Sequence, residues 1–307
     1  MTKRKIIFDC DPGQDDAIAI LLALASPELE VLGITVVAGN VGLERTGTNA
    51  RALVELAGRT TPVYAGCPRP LVRDPIDAAH IHGANGIAGA TLAPPARPLA
   101  QTHAVDFIRD TVQAHDAGTV TLVATGPLTN LACALVQTPE IAGRVREIAL
   151  MGGAIGLGNT TPAAEFNIHA DPHAAAVVFG SGARIVMTPL ELTHQALTTP
   201  ARIAAIRALG TEPARQAAAI LDAYPKDTHF GVTGGPLHDP CTIAYTIWPD
   251  LMSGRECRVD IDTEGTHSFG RTVVEWRRQK RPANALVLDT IDVEAFFARL
   301  TERIGRL

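Results

Sequence analysis

Residues Ile6-Ile7-Phe8-Asp9-Cys10-Asp11-Pro12-Gly13-Gln14-Asp15-Asp16 decide how the rest of the chain is read. The stretch opens as a short apolar run with the look of a buried β-strand. It breaks at Pro12-Gly13, and a helical pattern follows from Asp15 through Ala25. Asp9, Asp11, Asp15 and Asp16 therefore stand between the carboxyl end of a first strand and the amino end of the next helix. In open α/β sheets that edge is where ligands bind. Carboxylates this close raise one another's pKa, and a helix amino terminus offsets only about half a charge. One Asp is enough to cap a helix, so the surplus calls for a cation, and oxygen ligands suit Ca²⁺ or Mg²⁺. An EF-hand loop starting at Asp9 would need Gly at its sixth position and Glu at its twelfth. Gln14 and Ile20 stand there. A dehalogenase-type phosphatase would carry Asp-x-Asp-x-Thr, and Gly13 replaces that Thr.

Working outward, Val31 to Val37 reads as a second buried strand ending in Ala38-Gly39-Asn40, followed by a helical pattern over about 43–57. Pro62 to Ala65 is a short third strand. This βαβαβ rhythm implies a parallel sheet with right-handed crossovers. Residues 66–100 are rich in Pro, Gly and Ala and contain His80-Ile81-His82-Gly83. A long irregular stretch of this kind is more often functional than decorative. Further strand-turn-helix units follow at Val120–Ala124 and at Glu147–Met151. The first ends in Thr125-Gly126-Pro127, with the proline suited to a first helical turn. Asp171-Pro172 opens another helix with Asp171 as its cap. Short strands at 258–262, 272–276 and 284–288 precede an amphipathic helix over about 293–304. The expectation is an α/β fold with an open, mostly parallel twisted sheet flanked by helices and extra C-terminal strands and helices. With no internal repeat or composition break, residues 1–307 are read as a single domain.

A net charge of −5 without basic runs argues against nucleic acid or membrane as partner. Only three apolar residues separate the basic opening from Asp9, too few for a signal peptide. No apolar run is long enough to span a bilayer. Five scattered cysteines without a CxxC pair argue against zinc and a disulfide framework. A cytoplasmic location is expected.

The string Asp-x-Asp-Pro-Gly-x-Asp-Asp resembles the signature of the inosine-uridine nucleoside hydrolase family. Asn40, Thr-x-Pro-Leu-Thr-Asn from Thr125, Ala-Glu-Phe-Asn-Ile from Ala164 and His238-Asp239-Pro240 repeat the resemblance along nearly the whole chain. Read without it, Asn40 is a turn residue, His82 a solvated side chain, the polar loop at 158–167 an ordinary loop and His238-Asp239 a plain helix cap. The resemblance implies Ca²⁺-dependent hydrolysis of the N-glycosidic bond of a ribonucleoside. The calcium ligands would be Asp11, Asp16, Asp239 and the Thr125 carbonyl, with Asp11 also the general base for a metal-held water. Asp15, Asn40, Met151, Asn159, Glu165, Asn167 and Phe230 would contact substrate, His238 would lie beside the base, and His82, in a stretch resembling the family's mobile active-site loop, would be a further catalytic residue near the substrate. His238 is a candidate acid because an unperturbed imidazole titrates near neutrality. In purine-accepting relatives, aromatic side chains precede His-Asp-Pro at positions that fall on Asp222 and Lys226. The string Tyr224 to Gly231 looks more like the pyrimidine-preferring members. Uridine and cytidine are thus the expected substrates, a purine or broad specificity the alternative. A dehalogenase-type phosphatase and a non-catalytic nucleoside-binding protein are the remote ones. The family also implies a homodimer or homotetramer.

Overall fold

The computed structural model describes residues 3–224, 234–277 and 280–307. Its strands are β1 (Arg4–Cys10), β2 (Leu29–Val36), β3 (Val63–Ala65), β4 (Val120–Ala124), β5 (Glu147–Met151), β6 (Ile185–Thr188), β7 (Leu197–Thr198), β8 (Gly235–Pro236), β9 (Met252–Cys257), β10 (Val259–Ile261), β11 (Thr272–Val274) and β12 (Ala285–Ile291). Its helices are α1 (Gln14–Ala25), α2 (Leu43–Leu56), α3 (Ala79–His82), α4 (Ala104–Ala114), α5 (Thr129–Gln137), α6 (Phe166–Ala170), α7 (Pro172–Gly180), α8 (Leu190–Thr193), α9 (Pro200–Arg207), α10 (Glu212–Ala223), α11 (Asp239–Ile247) and α12 (Val293–Ile304).

Eight strands form one sheet in the order β3-β2-β1-β4-β5-β6-β12-β9. All neighbours pair in parallel except β9, which closes the edge antiparallel to β12. The open, mostly parallel α/β sheet expected from the sequence is what the chain forms. The period of two in β1 sorts its side chains between two cores. Ile6, Phe8 and Cys10 pack with α1, α2 and α9 to α12, and Ile7 packs with α4, α5 and α7 on the other face. Each such side chain, fully buried, contributes about 1.5–3 kcal/mol.

From β1 the chain adds β2 and β3 on one side, then returns to lay β4, β5 and β6 on the other. The crevice between the carboxyl ends of β1 and β4 is therefore the topological switch point, where such sheets bind ligands. Asp11 follows one of those ends and Thr125 the other. All twelve residues of α1 are buried, and α11 packs beside it.

Two differences from the sequence reading have clear causes. The strand β9 reads Met-Ser-Gly-Arg-Glu-Cys, with Ser253, Arg255 and Glu256 exposed, so it lacks the apolar run that marks an internal strand. Residues 66–100 are not wholly irregular, since α3 is one helical turn at Ala79–His82.

Candidate active site

The break at Pro12-Gly13 makes Gly13 the N-cap of α1, extended at φ −92°. Glycine has no capping side chain, and a carboxylate from the first turn serves instead. The Gly13 N–H donates to Asp16 Oδ2 at 2.9 Å. Asp16 also accepts from the Asn40 amide at 3.1 Å and the Thr125 hydroxyl at 2.7 Å. Three strand ends thus converge on one carboxylate. Asp11 accepts the Asn40 N–H at Oδ2, 2.6 Å, while its buried Oδ1 has no protein partner. The backbones of Gly39 and Gly126 press against the Asp11 carboxylate, and a Cβ on Gly126 would lie 2.6 Å from Oδ1.

Packing of α11 against α1 brings Asp239 to the same place. Carboxylate oxygens of Asp15, Asp16 and Asp239 lie within 4.8 Å of one another. Burial pushes the carboxyls of Asp11, Asp16 and Asp239 above the usual range and Asp15 up to about 7, and repulsion from neighbouring carboxylates adds to it at Asp11, Asp15 and Asp239. No lysine or arginine lines the adjoining cavity among the described residues. The two helix amino termini supply about half a charge each. An all-oxygen donor set with an orphaned carboxylate oxygen and uncompensated negative charge fits a hard divalent cation.

This electrostatics has a direct consequence for metal-free protein. Asp15 titrates near 3.8 when unfolded and at about 7 when folded. The buried Asp9 behaves likewise, as does Glu165, from 4.5 to about 7. Folding therefore takes up protons between these limits, and stability declines as pH rises from about 4 to about 7. In thermal melts with chelator, a lower Tm at pH 8 than at pH 5 is expected. A Tm independent of pH would show that these carboxyls are not desolvated as the structure has them.

Asp9, on the Ile7 face of β1, turns away from the cluster. It accepts from Thr35 Oγ1 at 2.5 Å and from the Asn130 amide at 2.8 Å. Asn130, on α5, was legible only as part of a turn.

The cavity beside the carboxyls measures about 530 Å³ and includes Asp15, Asn40, His82, Glu165, His238 and Asp239 in its wall. That volume suits a small-molecule ligand. His82 is buried and its Nδ1 accepts the Gln14 N–H at 3.3 Å. Its proton therefore sits on Nε2, making the ring a fixed donor. Burial, with His80 nearby, lowers its pKa to about 4. His238 Nδ1 lies 2.8 Å from Thr193 Oγ1. Burial, and then His194 and His82, lower its pKa to about 3. At neutral pH both rings are uncharged, so the near-neutral titration expected for His238 does not hold in this wall.

On the opposite side, Glu165 caps α6 and accepts N–H groups from Gly153, Asn167 and Ile168. Asn167 spends its amide hydrogens on the carbonyls of Thr125 at 2.7 Å and Met151 at 3.1 Å. Its own carbonyl is left to accept from a ligand hydroxyl. Asn159, exposed at the mouth, accepts the Phe166 N–H at 3.0 Å.

The structure thus gathers Asp15, Asn40, His82, Thr125, Met151, Asn159, Glu165, Asn167, His238 and Asp239 around one cavity, with Asp11 and Asp16 hydrogen-bonded to Asn40. Phe230 and Lys226 lie outside the described residues. Asp222 faces outward and pairs with Arg207. The aromatic that enters the cavity from the end of α10 is Tyr224, whose ring centroid is 6.0 Å from that of His82. Its position at the exit of a helix just before a Pro was the available signal. His194 and His169 also line the wall and had none.

The profile of a family described as inosine-uridine preferring nucleoside hydrolase matches residues 6–298. An uncharacterized protein of Schizosaccharomyces pombe is 50% identical, over 99% of this chain and 99% of its own. The pyrimidine-specific ribonucleoside hydrolase RihB of Escherichia coli is 45% identical, over 98% and 97%. Among solved structures, the purine-preferring ribonucleoside hydrolase from Gardnerella vaginalis superposes with a TM-score of 0.92 at 36% identity, covering 98% of each chain.

Proposed function

The chain belongs to the inosine-uridine preferring nucleoside hydrolase family and is a nucleoside hydrolase, and from that premise we propose that it hydrolyses pyrimidine ribonucleosides with the aid of Ca²⁺. The observation that carries the metal reading is the set of buried carboxyls facing a cavity without a lysine or arginine among the described residues. Gly13, standing where a dehalogenase-type phosphatase carries Thr, disfavours a phosphatase.

Asp16, Asp239, Asp11 and the Thr125 carbonyl are the ligands assigned. Asp15, within reach of Asp16 and Asp239, either completes that shell or takes the ribose hydroxyls. When bound, the ion supplies the missing positive charge and the field in which a water is more readily deprotonated. Asp11 Oδ1, the oxygen without a partner, accepts the proton of the attacking water. Asn40, Glu165 and Asn167 hold the ribose, where contacts that strengthen as the ring flattens lower the barrier. The water oxygen bonds to C1′ as the C1′–N bond breaks, and its electron pair leaves with the base. His82, through Nε2–H, and His238 act as neutral hydrogen-bond donors to that base.

The pyrimidine preference rests on the 45% identity to RihB. A purine preference is the second reading, favoured by the superposition on the Gardnerella enzyme and by Tyr224 as a stacking surface. The expected homo-oligomer and cytoplasmic location go with the same reading, and no helix among the described residues is long and apolar enough to cross a membrane.

Ribose release from uridine, cytidine, inosine and adenosine, with and without a tight Ca²⁺ chelator, tests this. Chelator-sensitive release led by uridine or cytidine is expected. Release led by inosine would overturn the base preference, and chelator-insensitive release would overturn the metal. Gly13→Ala probes the geometry of the turn. Its Cβ would lie 2.6 Å from the Asn40 amide nitrogen and 3.0 Å from His82 Nδ1. A loss in kcat/KM of about 100-fold is expected from displacement on the ångström scale. Wild-type kcat/KM in this variant would show that Asn40 and His82 tolerate the shift.

A further inference from the structure

The chain carries a pair of thiols that hydrolysis does not use. Cys67 follows β3 and Cys133 lies on α5, with their sulfurs 3.9 Å apart. Both are partly exposed, whereas Cys10, Cys241 and Cys257 are buried. We propose that Cys67 and Cys133 form a redox-responsive dithiol that closes to an intramolecular disulfide by exchange with a low-molecular-weight disulfide, and that closure disturbs the Asp11–Asn40 edge of the active site.

The exchange balances. The Cys133 thiolate attacks one sulfur of the small disulfide, and the other half leaves as a thiolate. Cys67 then loses its proton and attacks the Cys133 sulfur, expelling the second half. Two protein thiols are oxidised, the small disulfide is reduced to two thiols, and the two protons pass to the leaving groups. The geometry favours Cys133 as the attacking group. The Cys67 thiol donates to it, which lowers Cys133 to about 7 while raising Cys67. A thiolate is the nucleophile such exchange requires.

Closure must bring the sulfurs to about 2.05 Å, and Cys67 is not free to follow without consequence. Its N–H donates to Asn130 Oδ1 at 2.8 Å. The same side chain donates to Asp9 at 2.8 Å and to the Val36 carbonyl at 3.2 Å. A Cβ on Gly66 would overlap that amide, so the backbone already touches it. The Cys67 carbonyl accepts the Ala38 N–H at 3.1 Å. Two residues on, the Asn40 N–H holds Asp11 Oδ2. Two short hydrogen-bonded routes thus run from Cys67 to the strand end that carries Asp11.

The test treats the whole protein with oxidised glutathione, maps its peptides by mass spectrometry without reduction, and follows uridine hydrolysis in parallel. A Cys67–Cys133 cross-link is expected, with turnover down about tenfold, short of the ~100-fold that a 1 Å misplacement can cost, and both reversed by dithiothreitol. Cys67→Ser and Cys133→Ser should keep basal turnover and be insensitive to the oxidant. Mixed disulfides on either cysteine without a cross-link would overturn the dithiol. A cross-link with unchanged turnover would overturn its link to the site, and equal inhibition of the Ser variants would place the effect elsewhere. The peptide map reads the pair whatever the substrate proves to be.

Discussion

Asp11→Asn is expected to lower uridine turnover by about 10²- to 10⁴-fold, the range a positioned general base supplies. The substitution is nearly isosteric, and the surroundings tell the two carboxylate oxygens apart. Oδ2 is taken by the Asn40 N–H at 2.6 Å, and Oδ1 is buried without a partner. An asparagine can keep its carbonyl toward Asn40. Its NH₂ then stands where the accepting oxygen was, and a donor cannot take a proton from water. Removing one charge from a crowded carboxyl cluster relieves repulsion, so the metal-free fold should melt no lower than wild type. Steady-state kinetics with a binding titration and a thermal melt separate these effects. Intact nucleoside binding with undiminished turnover would remove Asp11 from the chemistry.

The second large effect lies in Asp239→Asn. Wild-type protein at a Ca²⁺ concentration of about 100 Kd gains ~2.7 kcal/mol by mass action, a rise of roughly 4 °C in Tm for a chain of 307 residues. The variant should lose most of that rise together with its activity. In chelator its Tm should equal or exceed that of wild type, because a carboxyl pushed upward by burial, and then by Asp15, Asp16 and Asp11, has been neutralised. The opposite signs in the presence and absence of the ion are the signature. Equal Ca²⁺ shifts in both proteins would place the cation elsewhere.

How much of this was legible in the sequence depends on the range of the interaction that fixes each residue. The β1–α1 turn is local, so its run, its Pro-Gly break and its acidic crowding declare themselves. The expected cap also exists, but Asp16 serves Gly13 from inside the helix. The position of Asp15 beside Asp239 depends on how α1 packs against α11, two segments more than 200 residues apart. No spacing in the chain encodes it. The titration of His238 is set for the same reason by tertiary packing, first by burial and then by His194 and His82 from other segments. The edge strand β9 is fixed by its partner β12 and carries no apolar signature of its own. Asn130 gave no sign that it ties Asp9 to Cys67.

The helix α1 is covered on every side, and that has a consequence for how the site lives and dies. A helix with no wet face has no side from which to fray, so its amides are expected to exchange with solvent only in the global opening reaction. Asp15 and Asp16 ride on that helix. Among the described residues, α1 thus offers no cheap excursion by which half of the carboxyl cluster is dismantled while the rest stays folded. Whatever weakens the interior far away, even a methyl group lost beneath Ile18 or Leu22, draws on the same reserve that keeps the two carboxyls in place.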